Sequence, residues 1–309
     1  MTRQELEEDV NVGDTVKITT KSGEFTGRVE EFGESAIRLT NPENGKPKRI
    51  AYEFIMEYEI NAVSTTDVMS IGIDTKSKMV TIPGTKYRIG MTPVTQRLYN
   101  KVMGENPSWF QLSNDRLNDD RHEALAENGN SSNNPVENVS WFDAVYFCNK
   151  LSMMEGLTPA YSVDGETDPK YWGYMPHNYE TINSDVDCDF NTNGYRLPTN
   201  DEWEKAANGG DNYTYSGSND LDEVGWYGDN SNNVTHSVAQ KMENSYGLYD
   251  ISGNVCEWVW NTCPGRVNRY ICGGSWSDCA DRCEVTYSRN ANAGSQLSHI
   301  GFRLLRPLD

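Results

Sequence analysis

From residue 13 to residue 60, apolar and polar positions alternate with a period of two, which belongs to strands and not to helices. In VKITTKSGEFTGRV, Val16 and Ile18 alternate with polar neighbours, Ser22 and Gly23 mark a hairpin turn, and Phe25 and Val29 follow on the return. Gly33 marks the next turn, Ile37 and Leu39 the next strand, residues 41–46 a loop, and residues 52–60 a last strand. The pattern predicts a small all-β barrel, Sm-like or SH3-like, over residues 1–62. A mostly small and polar stretch over 63–74 reads as a linker.

From residue 75 to residue 309 the texture changes. Trp, Tyr, Gly and Asn become frequent and regular periodicity becomes rare. The clearest helix starts after Ser140, a good N-cap with Asp143 in the capping-box position. Ala144, Phe147, Cys148 and Leu151 form its apolar stripe. A second helix is expected over 200–208, with Asn200 as cap and Trp203, Ala206 and Ala207 inward, and a shorter third over 93–103. Residues 128–134 and 211–222 read as exposed loops. The fold class expected for the whole is α+β.

Composition narrows the function. The chain has 309 residues, enough for two domains. Its net charge of −19 argues against tracking nucleic-acid phosphates and favours cations or neutral and basic ligand surfaces. Residues 1–60 carry eight basic and thirteen acidic side chains, so the barrel is expected to assemble or tether copies of the chain and not to bind RNA. No apolar run approaches the roughly 20 residues of a membrane span. The opening MTRQELEEDV lacks a signal peptide's basic and apolar regions, so a cytoplasmic location is expected, or a surface or secreted one if a leader was removed. Seven cysteines without a C-x-x-C pair suggest reduced thiols, with neither a disulfide framework nor a structural zinc.

Five segments stand out in order: MTPVTQRLYNKVMGENPS (91–108), NPVENVSWFDAVYFCNKLS (134–152), YRLPTNDEWEKAA (195–207), YGLYDISGNVCEW (246–258) and GGSW…GFRLLRP (273–307). Together they resemble the formylglycine-generating-enzyme family, or sulfatase-modifying-factor domains. The resemblance covers residues 75–309 and implies a C-type-lectin-like fold with little regular structure. The family includes oxidases and also the variable proteins of diversity-generating retroelements, which use the fold as a ligand-binding scaffold. Arg196, Pro198, Glu202, Trp203 and Trp258 read as core-fixing residues, with an Arg196–Glu202 contact expected.

In the turn DISGNVCE, two carboxylates and backbone oxygens suit a hard cation. The resemblance implies a structural calcium on Asp250, Gly253, Val255 and Glu257. Family oxidases place two cysteines after the GGS segment to bind Cu(I), which soft thiolates suit. Cys283 falls on the second of those positions. Asp278 stands on the first, and Cys279 lies one residue later. Copper is therefore not expected, and no catalytic residue is assigned. No three-histidine iron site is visible among His122, His177, His236 and His299.

Between the GGSW and GFR frames the sequence is polar, small and aromatic, the mix of an adaptable binding surface. In the family's variable proteins the varied positions lie in this segment. The implied surface is Tyr270, Ser277, Asp278, Asp281, Arg282, Tyr287, Arg289, Asn290, Asn292, Ser298 and His299. Three functions follow as expectations. The first is a non-catalytic protein that binds a protein or glycan through residues 273–303. The second is a copper-dependent oxidase, and the third a structural subunit of an oligomer.

Overall fold

A computed structural model describes residues 78–308 apart from 113, 115, 128–130 and 264–266, together with five strands between residues 15 and 60. The chain divides into two compact units, Met1–Ile73 and Asp74–Asp309. The expected linker over 63–74 lies outside the described residues.

In the first unit, β1 (Thr15–Thr20), β2 (Gly23–Phe32), β3 (Ala36–Thr40), β4 (Pro47–Ala51) and β5 (Ile55–Ile60) form one sheet in the order β4-β3-β2-β1-β5. All its pairings are antiparallel, and Thr20 stands opposite Gly23 where the hairpin was expected. The sequence pattern missed β4, because its run PKRIA lacks an apolar alternation.

The second unit is mixed helix and sheet. Its helices are α1 (Gln96–Met103), α2 (Asp119–Glu127), α3 (Trp141–Met154), α4 (Asn200–Asn208) and α5 (Leu221–Val224). A three-stranded sheet joins β6 (Met79–Thr81), β7 (Tyr87–Gly90) and the last strand of the chain, Leu305–Pro307. A two-stranded sheet joins β8 (Tyr161–Val163) and β9 (Val186–Cys188). The sheet that matters for function holds β10 (Cys256–Thr262), β11 (Asn268–Cys272), β12 (Ser288–Asn292) and β13 (Ile300–Phe302), in the order β12-β11-β10-β13. The last strand of the chain is β14. Within the four-stranded sheet, β10 and β13 run parallel and the other neighbours antiparallel.

Local chemistry explains the helices. Ser140 and Asp143 form the expected reciprocal capping box at α3, whose buried residues lie on nearly every side. The α4 helix carries its own capping box. Its cap is Thr199, not Asn200, because Glu202 stands three residues after Thr199 and reaches back to its N–H at 2.8 Å. Arg196 holds the same Glu202 with two hydrogen bonds, at 2.6 and 2.7 Å. The expected loop over 211–222 instead leads into α5, whose Leu221 is buried.

Two buried indoles tie α3 and the residue before its cap to β10. Trp141 of α3 donates its indole N–H to Val259 O at 3.1 Å, and Trp258 of β10 donates to Val139 O at 2.9 Å. These reciprocal bonds satisfy two buried indoles while fixing strand to helix. Among the described residues no helix is long and apolar enough to cross a membrane.

Candidate functional site

The GGSW segment leaves β11 through Gly273 (φ 90°) and Gly274 (φ 68°), conformations that suit glycine. A Cβ at Gly273 would run into the Ile251 carbonyl, and one at Gly274 into Cys283 Sγ and the Arg282 carbonyl. The two glycines thus let the segment pass close to the 250–254 turn on one side and to the 280–283 turn on the other.

The segment delivers Asp278 into a buried cluster. Ser275 Oγ donates to Asp278 Oδ2 at 2.6 Å. Arg289, from β12, grips both carboxylate oxygens, with Nη1 at 2.9 Å from Oδ1 and Nη2 at 3.0 Å from Oδ2. Arg282 Nη1 reaches Oδ1 at 3.4 Å. Arg289 Nη2 also donates to Cys256 Sγ at 3.2 Å. Burial pushes the Asp278 carboxyl up, but the Ser275 hydrogen bond and the Arg289 and Arg282 charges outweigh it and hold the carboxyl below its usual range. His299 lies within electrostatic reach. Burial, then the Arg289 charge, lower its pKa against the opposing pull of Asp278.

Four of the eleven surface candidates, Asp278, Arg282, Arg289 and His299, therefore meet in one place. Asp278 is not a surface residue: it is 4% exposed, and its oxygens are spoken for inside the protein. Ser277 and Asp281 are exposed beside the cluster, with Ser277 Oγ 3.2 Å from Ser275 Oγ. The other candidates separate from it by strand register. Tyr270 stands opposite Asn290, whereas Arg289 stands opposite Ile271, so the two pairs face opposite sides of the sheet. Tyr270 leans on the buried cluster around Trp203. Exposed Asn290 accepts from Asn268 at 2.9 Å, and Asn292 Oδ1 accepts from the Gly294 N–H at 2.9 Å. Tyr287 and Ser298 are half-buried, and the Ser298 carbonyl accepts from the Trp276 indole at 2.9 Å. Sequence reading missed Ser275, which meets Asp278 in a local turn three residues on, and Cys256, which meets Arg289 only through pairing across the sheet.

The thiols do not fit a two-cysteine copper site. Cys279 is exposed at the start of the 280–282 turn while Cys283 is fully buried. Burial pushes the Cys283 thiol up, and pushes the Cys256 thiol up to about 12 against the Arg289 charge. The calcium set also fits poorly as arranged. Asp250 Oδ2 accepts from the Ala239 N–H at 2.7 Å and Oδ1 from the Asn254 amide at 3.2 Å. Glu257 accepts from the Trp203 indole at 2.7 Å and from Arg303 at 2.8 and 3.0 Å, with both members of that ion pair fully buried. Arg303 supplies the positive charge that a cation would bring to Glu257. Among the described residues no group of three or more His, Cys, Asp or Glu side chains is placed to hold a metal.

Comparison with known proteins places the chain among relatives of this fold. Residues 57–308 match the sulfatase-modifying factor enzyme 1-like domain. Chaperone protein LppX of Paenibacillus barcinonensis is 36% identical over 246 residues, 71% of this chain and 80% of its own length. Inactive C-alpha-formylglycine-generating enzyme 2 of Mus musculus is 35% identical over 130 residues, 36% of this chain and 42% of its own length. Among solved structures, Treponema denticola variable protein 1 superposes with a TM-score of 0.62 at 31% identity, covering 94% of this chain and 98% of its own.

Proposed function

The chain belongs to the family of sulfatase-modifying factor enzyme 1-like domains, and we propose that it is a recognition protein and not an oxidase. One observation carries the reading. At the position the resemblance assigns to the first copper-binding cysteine stands Asp278, buried and held by Arg289, Arg282 and Ser275. That carboxylate spends its charge on fixing two arginines. Beside it, Ser277, Asp281 and Arg282 present exposed polar groups, and Asn290 and Asn292 are exposed on the opposite face of the sheet.

Likeness to the Treponema variable protein supports a sharper form, in which residues 277–299 are the varied part of a C-type-lectin-like scaffold that binds a protein or glycan. The N-terminal sheet we assign to an Sm- or SH3-like barrel over 1–62, followed by a linker over 63–74, through which copies of the chain assemble. Calcium on Asp250, Gly253, Val255 and Glu257 we leave out of the reading, since those carboxylates already have protein donors.

The test has two arms. Sequencing the gene from many clones should show changes at adenines confined to codons 277–299, templated by a neighbouring near-copy. An invariant segment would sink the variable form. Oxygen uptake should stay at background when the protein is given Cu(I) and a cysteine-containing peptide, and turnover would sink the recognition reading itself.

A further inference from the structure

Three buried or half-buried arginines each hold a carboxylate: Arg196 meets Glu202 at 2.6 Å, Arg289 meets Asp278 at 2.9 Å and Arg303 meets Glu257 at 2.8 Å. Arg269 of β11 differs. It is half-buried, and no Asp or Glu among the described residues lies within ion-pair distance of it. Its guanidinium lies against two indoles instead, 3.7 Å from the ring centre of Trp141 and 5.3 Å from that of Trp260. Nη1 donates to the Trp260 carbonyl at 2.9 Å. Nε is buried without a partner, and Nη2 has none among the described residues. An indole face attracts a guanidinium but does not neutralise it. Burial accordingly pushes the Arg269 pKa down to about 10. Three groups pull the other way. Burial keeps Tyr161 and Cys263 protonated at neutral pH, and Asp185 is exposed, so water screens its charge. The guanidinium is a cation short of an anion.

A second observation concerns the surroundings. Tyr161 stacks on Trp260 with ring centres 5.2 Å apart, and Phe190 meets Trp260 edge-on at 6.3 Å. Tyr161 is buried, Trp260 is half-buried and Phe190 is 42% exposed. The aromatic row that carries the guanidinium therefore runs from the interior out to a ring in solvent. A bare inorganic anion would meet the charge and leave that row wet. A neutral ring would cover the row and leave the charge unmet. A carboxylate carried on an aromatic ring matches both, and its single charge matches a single guanidinium.

We propose that Arg269, Trp260 and Phe190 form a binding site for a small aromatic carboxylic acid. Arg269 takes the carboxylate through its outer donors, and the ligand ring packs on Phe190 and the open edge of Trp260. Trp141 and the Trp260 carbonyl hold the guanidinium in place beforehand, so little side-chain freedom is lost on binding. None of these groups belongs to the 277–299 segment. The site is thus separate from the surface assigned to recognition, and either can fail without the other.

The test uses the full chain and three probes: 3-phenylpropionate, its uncharged amide, and propionate, which lacks the ring. Binding is followed by calorimetry and by the assigned NMR signal of the Arg269 Nε–H. The aromatic acid should bind at millimolar concentration and move that signal. The amide and propionate should each bind about tenfold more weakly or worse. Arg269→Lys keeps the charge but loses the planar fork, and should weaken the acid about tenfold. Phe190→Ala removes an exposed ring and should weaken it about threefold. Equal affinity for acid and amide would overturn the role of the guanidinium, and equal affinity for acid and propionate the role of the aromatic edge. Absence of binding at ten millimolar, or binding that leaves the Arg269 signal unmoved, overturns the site as a whole. These comparisons are made on the parent protein, so they hold whether or not the lysine variant folds.

Discussion

Arg289 and Asp278 are joined by two parallel hydrogen bonds, 2.9 and 3.0 Å long, eleven residues apart in sequence and on different elements. The pair clips the loop after GGSW to the sheet edge. Asp278→Ala would leave Arg289 without its partner and Ser275 without its acceptor. The expected loss is about 2–4 kcal/mol, less than for a wholly buried pair because Arg289 is partly solvated. Urea unfolding measures it, and a loss below about 0.5 kcal/mol would mean the clip behaves as an ordinary surface ion pair.

Replacing the same carboxylate tests the chemistry. Asp278→Cys puts a second thiol at the position the family resemblance assigns to copper. Under reducing conditions this variant should take up one Cu(I) in competition with a chromogenic chelator, and the parent should take up none. Stoichiometric copper on the parent, lost in Cys283→Ser, would reverse the proposed function.

The 250–257 turn is expected to hold without an ion. Chelation should leave the melting temperature unchanged, whereas Glu257→Ala, which strands the fully buried Arg303, should cost about 3–5 kcal/mol. A calcium-dependent rise in melting temperature would show that the turn rearranges to release Arg303.

A pH dependence follows from Glu137. Its carboxylate is fully buried and accepts from the Trp109 and Phe110 N–H groups at 3.0 and 2.9 Å. Burial outweighs those bonds and pushes its pKa up to about 8. Asp250 moves the same way, to about 6, again through burial. A carboxyl whose folded pKa is raised favours the folded state most when protonated. Its contribution is complete below the unfolded value and is lost as pH rises through the folded one. Stability should therefore fall between about pH 4 and pH 8, Asp250 contributing up to about pH 6 and Glu137 up to about pH 8, by an amount on the order of a few kcal/mol. Glu137→Gln should flatten the upper part of that slope in denaturant melts at pH 6 and pH 9. An unchanged slope would assign the dependence to other groups.

The parts of this structure legible in sequence are those written over short distances. The α3 capping box needs only Ser140 and Asp143, and the Arg196–Glu202 pair spans a single turn region. Thr199 and Asn200 are both good caps, so propensity alone did not separate them; the reach of Glu202 did. The site was legible as a segment but not as a geometry. An aspartate between a serine and a cysteine reads as exposed, because the partners that make its burial tolerable, Arg289 and Ser275, meet it only through the β11–β12 register and the turn at Gly273 and Gly274. The same register sent Tyr270 and Asn290 to the face opposite Arg289.

The strand β10 is bonded on one side to β11, which leads into the candidate segment, and on the other to β13, which receives it. With Trp141 and Trp258 fastening that central strand to α3, both ends of the segment are anchored to the same fixed rail. Exposed residues between the anchors can be exchanged with little effect on how the rest of the chain folds, provided that Asp278, Arg289 and the buried Cys283, Val285 and Ala293 are kept. On the proposed variable-segment reading, such an insert would carry a population's diversity in one short stretch, while the remainder of the gene stays under ordinary constraint.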